Sequence, residues 1–336
     1  MARQSTGFPP REYNHSLGKE AVVTIAPDIP IRVDFFTTMI SPSDISRTTC
    51  EKTEYGFYQY RPLPSKAELQ EYYSQKYYQQ GKGSYDVAYT LEEINYFRLK
   101  AELIYKKLSH LRDLGEKKDV LDIGCGEGWV LDQFAKQRHK VTGIDYSQYG
   151  LNAFNSHMLP FLEQGDCVEL ILAKVNNSQL YDVVILANVI EHVLNPVDLV
   201  EKIYNLLAED GILIIVAPND FSLLHKHLED NKIIDRQFWL AYPDHISYFN
   251  KESMENLVSA KGFKVVAVVA DNPVDLNLLN MNSNYVQHPE KGKGTHFFRV
   301  SMDNFLAGIS KDRLLDCYET LGSMGVGRDL TYFCSK

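Results

Sequence analysis

The stretch Asp119–Leu131 reads DVLDIGCGEGWVL: an apolar run ending in an aspartate, then glycines on alternate positions at Gly124, Gly126 and Gly128, then a helix-forming segment. Glycine has no Cβ, so it permits positive φ and lets a ligand sit against the main chain. A strand, a glycine turn and a helix N-terminus in succession make a ligand site at the carboxyl edge of a parallel sheet. About twenty residues on, Asp145 ends a second apolar run, KVTGID, where a carboxylate reaches both hydroxyls of an adenosine ribose. The spacing separates two kinds of ligand. A diphosphate site takes G-x-G-x-x-G, whose third glycine lets the helix pack close. Here Trp129 occupies that position and the third glycine comes one residue early, at Gly128.

The same grammar continues downstream. DVLDIG, KVTGIDYS, YDVVILANV and ILIIVAPN are apolar without alternation and are separated by helical segments, which predicts a parallel sheet covered on both faces. WVLDQFAKQ follows the glycine turn as a helix. NPVDLVEKIYNLLAEDG is a helix with Asn195 as cap, Pro196 at its first position and Gly211 just past its end. After a loop-rich stretch over 219–250 come the helix KESMENLVSAKGF and the strand KVVAVVA. A last strand, DLTYFCS, follows about 58 less regular residues. Residues 1 to about 80 are proline-punctuated and tyrosine-rich. Within them PSKAELQEYYSQKYY reads as a helix with a Ser65 cap and Glu68 three residues on. QQGKGSYD reads as a loop, and TLEEINYFRLKAELIYKKLSHL as a long amphipathic helix.

Composition excludes several classes. The chain has 336 residues, 44% hydrophobic and 24% charged, with a net charge of −9 and a pI of about 5.6. That balance disfavours a nucleic-acid partner. Five scattered cysteines without a C-x-x-C pair fit reduced thiols and argue against a disulfide framework or zinc ribbon. No apolar run is long enough for a membrane span, and the polar start is unlike a signal peptide. A soluble, cytoplasmic protein is expected.

With Asp145 in register, D-x-G-x-G-x-G is similar to the motif of class I S-adenosylmethionine-dependent methyltransferases, whose loop backbone receives a zwitterionic methionine end. The resemblance implies an α/β fold: a doubly wound, mostly parallel seven-stranded Rossmann-like sheet with an antiparallel last strand. It implies an N-terminal region over 1–85 and a methyltransferase domain over 86–336, with cap insertions at 219–250 and 271–328. The implied cofactor is S-adenosyl-L-methionine, held by Asp122, Gly124, Cys125, Gly126, Gly128, Asp145, Tyr146, Asp166 and Asn188. Asp166 lies in EQGDC, in the slot where these enzymes place an acid near the adenine amino group.

Two further motifs carry chemistry. ANVIEHVLNP places Asn188, Glu191 and His192 at the carboxyl edge of the fourth strand. Its E-H-V-x-x-P resembles a group that includes ubiquinone-pathway O-methyltransferases and sugar methyltransferases. In some relatives this histidine lies near the substrate and the Glu–His pair is linked to a divalent metal. Two adjacent ligands do not define a metal site, and none is expected. The bland alternative has His192 packing the helix start and Glu191 as a first-turn dipole partner. FWLAYPDHISYFNKESMENL, with Asn250 as a helix cap, resembles the Y-x-E-H-x-x-Y-F stretch of methyltransferases acting on nucleotide-linked deoxysugars. Carried over by position, Tyr242 and His245 are acid–base groups and Asp244 stands where the family has Glu. Trp239, Tyr242, Tyr248 and Phe249 would wall a sugar face; a packed, anchoring His245 is the alternative. A histidine suits removal of a hydroxyl proton, so His245 is expected as base, Asp244 or Tyr242 as its partner, and His192 as understudy.

The resemblance to this sugar-methyltransferase group runs from YRPLPSKAELQEYYSQKYY through PNDFSLL to GKGTHFFR and Gly325–Arg328. The first segment follows a four-cysteine zinc module in the C-methylating branch; only Cys50 stands there in this chain, which favours O-methylation. Lys291–Arg299 could close over an anionic nucleotide or phosphate, or be an ordinary solvated loop. The implied function is methylation of a sugar on a nucleotide sugar or surface polysaccharide, a small-molecule or glycan acceptor. A quinone-type O-methyltransferase, with a metal requirement and a more apolar pocket, is one rival. A catalytically silent cofactor-binding protein is the other.

Overall fold

The computed structural model describes residues 49–69, 89–115 and 117–336. The helix expected over the tyrosine-rich stretch beyond residue 69, the loop expected over QQGKGSYD and most of the N-terminal region lie outside the described residues. Seven strands form the main sheet: β3 (Asp119–Ile123), β4 (Lys140–Asp145), β5 (Leu162–Gln164), β6 (Tyr181–Ala187), β7 (Leu207–Pro218), β9 (Lys264–Ala270) and β10 (Asp329–Ser335). Their order is β5-β4-β3-β6-β7-β10-β9. Pairings from β5 to β7 are parallel, and β10 enters antiparallel between β7 and β9. This is the Rossmann-like arrangement of a class I methyltransferase, as the glycine motif implied.

The unalternated strands pack on both faces because successive side chains point to opposite sides. Leu121 and Ile123 of β3, with Leu213 and Ile215 of β7, meet Leu199 and Ile203 of α5 (Pro196–Leu206) and Met254 and Leu257 of α7 (Lys251–Ala260). Val120, Ile212 and Ile214 face the other layer. There they meet Leu99, Leu103 and Leu108 of α1 (Leu91–Leu111), Phe134 of α2 (Trp129–Lys136) and Tyr318 of α9 (Lys311–Ser323). Each such side chain taken from water stabilises the fold by about 1.5–3 kcal/mol. The remaining helices are α3 (Tyr149–Phe154), α4 (Cys167–Asn176), α6 (Leu223–Asp230) and α8 (Gly292–Ile309).

Capping follows the sequence. Thr90 and Glu93 form a capping box on α1, and Asn195 accepts from Asp198 N at the start of α5. Asn250 and Ser253 cap α7, and Ser65 with Glu68 makes the same reciprocal bonds at 2.7 and 3.2 Å. Two expectations are corrected. The fourth-strand helix stops at Leu206 rather than before Gly211. Residues from Leu207 already belong to β7, and a Cβ on Gly211 would lie 2.7 Å from Leu207 Cδ2, so this glycine serves a bend in the strand. The tail 271–328 is mostly helical rather than irregular. The helical period of α8 is blurred because Phe298 and Phe305 are 54% and 68% exposed, leaving apolar residues on its outer face too.

A second sheet was not foreseen. β1 (Thr49–Lys52) and β2 (Tyr58–Arg61) form a hairpin whose β2 pairs antiparallel with β8 (Ser247–Tyr248), inside the histidine-bearing loop. Thr48–Lys336 accordingly form one compact unit. Trp239, Tyr248, Leu228 and Leu278 make a separate apolar cluster.

Candidate active site

The strand order reverses between β3 and β6, which opens a crevice at their carboxyl ends. A cavity of about 820 Å³ occupies it, near the top of the range for small-molecule sites. Its floor is the glycine loop. Gly124, Gly126 and Gly128 all have positive φ, at 69°, 51° and 78°. A Cβ on Gly124 would lie 2.4 Å from Val189 Cγ2, and one on Gly128 2.3 Å from Leu151 Cδ2. Both conformation and space therefore demand glycine.

Asp145 holds the loop as well as facing the cavity. Its carboxylate accepts from Gly126 N and from Ser147 N, both at 2.9 Å. Burial raises its pKa while these donors oppose the rise. Asp122 lies deeper; burial, then the neighbouring Asp145 charge, push it up to about 8, which favours the neutral acid at pH 7. Cys125, Tyr146 and Asn188 line the same cavity, Asn188 with φ of 54°. Asp166 caps α4, accepting from Val168 N and Glu169 N, and its other oxygen pairs with Lys66 at 3.2 Å. Eight of the nine residues of the cofactor reading thus line one cleft, and Gly128 lies in the same loop without lining it.

Several wall residues escaped the sequence reading. Tyr89 and Trp129 donate to the two oxygens of Glu127 at 2.8 and 2.6 Å. Tyr89, Phe97 and Trp129 form an aromatic edge over the glycine loop. The capping box at Thr90 was the available signal, since it puts Tyr89 just ahead of α1. Lys66 and Leu69 reach the cavity from the turn capped by Ser65.

The histidine end rearranges the expected roles. His192 lines the cavity, whereas Tyr242, Asp244 and His245 do not. His192 Nδ1 lies 2.7 Å from the carbonyl oxygen of Asp244. A carbonyl only accepts, so Nδ1 carries the proton and Nε2 is the basic nitrogen. Asp244 therefore orients His192 through its main chain, not His245 through its carboxylate. His245 packs edge-to-face on the His192 ring at 4.8 Å. Burial, then the His192 charge, push its pKa down to about 3. Tyr242 packs against Tyr60 at 4.6 Å. The aromatic wall expected for a sugar face is interior: Trp239, Tyr248 and Phe249 are each 1% exposed, and Trp239 stacks on His225 at 4.1 Å. Lys291–Arg299 lies in and just before α8 rather than in a solvated loop, and Arg299 sits over the Tyr96 ring.

Glu191 is 1% exposed, and neither carboxylate oxygen has a hydrogen-bond partner. Burial raises its pKa well above the carboxylate range. One ligand atom from each of Glu191, His192 and His245 lies within 4.8 Å of the others, so the loop supplies the third group that the adjacent pair lacked.

A methyltransferase domain model matches residues 71–268, more than half of the chain. The chain belongs to this family of class I methyltransferases, whose cofactor is S-adenosylmethionine. A probable S-adenosylmethionine-dependent methyltransferase of Mycolicibacterium smegmatis is 31% identical over 130 residues, 38% of this chain and 48% of that protein. A ubiquinone biosynthesis O-methyltransferase of Rickettsia felis is 31% identical over 129 residues, 38% of this chain and 52% of that one. The match thus spans about half the length of these curated relatives. A solved S-adenosylmethionine-dependent methyltransferase from Archaeoglobus fulgidus aligns at TM-score 0.44 with 18% identity, covering 70% of this chain and 94% of that one. Among the described residues no helix is long and apolar enough to cross a membrane.

Proposed function

We propose that the chain transfers a methyl group from S-adenosylmethionine to a hydroxyl oxygen of a small acceptor with a largely apolar body, and that His192 is the base. The observation that carries this is the His192 Nδ1 to Asp244 carbonyl bond, which leaves Nε2 basic on a side chain of the cavity wall. The cofactor fits the main-chain cradle that Gly124, Gly126 and Gly128 make in positive φ, with Gly124 and Gly128 packed too tightly on Val189 and Leu151 for any Cβ. When bound, it supplies an electrophilic methyl group. The protein's part is to align and dehydrate the acceptor and take its proton. His192 Nε2 receives the hydroxyl proton, and Asp244 O keeps the ring in the productive tautomer. Leu69, Phe97, Ala101, Ile104, Val193 and Leu194 exclude water. Residues 219–250 and 271–328 form the cap above the edge.

The acceptor reading favours a quinol- or catechol-like compound over a sugar. The curated relatives of that name support it, and the loop aromatics that would stack on a sugar are packed inside. A divalent cation at Glu191, His192 and His245 is the rival to this base, because an Nε2 that ligates a cation cannot also take the proton. The two unpartnered Glu191 oxygens and the unpartnered His245 Nδ1 fit such an ion. S-adenosylhomocysteine release should be measured with a catechol, a hydroquinone and a panel of nucleotide sugars, before and after chelation. Turnover with the phenols that survives chelation is expected; loss on chelation with rescue by a divalent cation would put the cation, and not the proton, at His192 Nε2. Turnover with nucleotide sugars alone would return the acceptor to the sugar class.

A further inference from the structure

The adenine end of the cleft has a side-chain count that does not close. A carboxylate offers about four lone-pair sites, and Asp166 already has four donors. Val168 N and Glu169 N donate to Oδ1 at 2.9 and 3.1 Å. Lys66 Nζ lies 3.2 Å from Oδ2, and the Tyr146 side chain also hydrogen-bonds the carboxylate. An amino group presented by the cofactor's adenine has no site left, so one donor must leave. The two main-chain donors cap α4 and cannot leave without uncapping it. Lys66 can. Its side chain is 54% exposed, it comes from the turn beyond β2 rather than from the sheet, and it already touches a second acceptor, Glu169 Oε1, at 2.8 Å.

We infer that Lys66 is a positioning residue that competes with the cofactor's adenine for Asp166 and passes to Glu169 when the cofactor binds. The inference rests on the cofactor reading of Asp166 given above. It makes the segment bearing Lys66, and with it Leu69 on the cavity wall, responsive to occupancy of the adenine end. Lys66 would then set cofactor affinity without touching the reacting atoms.

An exposed ion pair has a small effect, so the shift in affinity should be roughly two- to fivefold. S-adenosylhomocysteine is titrated by calorimetry into the full chain and into Lys66→Met, Lys66→Arg and Glu169→Gln, from low to high salt. Wild-type affinity should rise with salt as the competing pair is screened. Lys66→Met should bind more tightly and lose that salt response, and Lys66→Arg should keep it. Glu169→Gln, which removes the charge of the second acceptor, should bind more weakly. Tighter binding in Lys66→Met should vanish for the inosine analogue of S-adenosylhomocysteine, which has no 6-amino group. Unchanged or weaker binding by Lys66→Met overturns the competition. If wild type binds the inosine analogue as well as the parent compound, Asp166 does not read the amino group, and it is the cofactor assignment of Asp166 that fails. If no variant binds S-adenosylhomocysteine at all, the cofactor reading itself fails.

Discussion

The two ends of the cleft are built by opposite means. Above β3 and β4 the wall is main chain: Gly124, Gly126 and Gly128 in positive φ, tied to Asp145 and to the Ile144 carbonyl. Above β6 and β7 the wall is side chains brought from afar, with His192 held by Asp244, fifty-two positions along the chain. The glycine end engages both Asp145 oxygens with main-chain donors and leaves Asp122 Oδ1 without a partner. The histidine end keeps both Glu191 oxygens and His245 Nδ1 without hydrogen-bond partners, a cost of about 1–3 kcal/mol for each buried group. A wall that only receives a ligand can be completed by local geometry. One that moves protons or holds a cation carries groups that local geometry leaves open.

Single substitutions should separate the ends. The largest effect belongs to His192→Ala: turnover should fall by about 10²–10⁴-fold while calorimetric affinity for S-adenosylhomocysteine changes little. Affinity falling in step with rate would mean the two ends are one unit. Next, Asp145→Ala should weaken S-adenosylhomocysteine roughly ten- to a hundredfold, since hydrogen bonds to a charged group contribute about 1.5–3 kcal/mol each. An affinity within threefold of wild type would remove Asp145 from the cofactor site.

These two residues were not equally legible. The glycine loop, Asp145 and the helix caps were readable because their partners lie within about twenty residues, and spacing alone brings them together. His192, Asp244 and His245 were all singled out, but it is His192 and not His245 that lines the cavity. Which of two histidines faces the cavity depends on how the 219–250 loop returns over the sheet, and β8 pairing with β2 settles that without leaving a periodic signal. Lys66 escaped for the same reason, since a hundred positions separate it from Asp166. The apolar alternation of α8 was hidden by its exposed phenylalanines.

Acid should act through the histidine end. His245 is held down to about 3 from an ordinary 6.5, so between those values the unfolded chain binds more protons than the folded one. Its contribution is fully present above pH 6.5 and is lost as pH falls towards 3, with a slope approaching about 1.4 kcal/mol per pH unit. Thermal unfolding followed across this window should show the loss, and His245→Gln should flatten it. An unaltered slope in the variant would place the titration elsewhere.

The smallest effect should come from Asp122→Asn. With a pKa pushed up to about 8, Asp122 favours the neutral acid at pH 7, and the amide copies that form. Cofactor affinity should stay within about threefold, in contrast with Asp145→Ala in the same cleft. A loss as large as that of Asp145→Ala would show that Asp122 works as an anion.

The central claim is that the main-chain cradle at Gly124–Gly128 takes the amino-acid end of S-adenosylmethionine and not a diphosphate. Isothermal titration of the full chain with S-adenosylhomocysteine and, separately, with NADH tests it directly. One site for S-adenosylhomocysteine, abolished by Gly124→Val, with no heat from NADH, is the predicted result. Saturable NADH binding lost in the same variant, with none for S-adenosylhomocysteine, would contradict it.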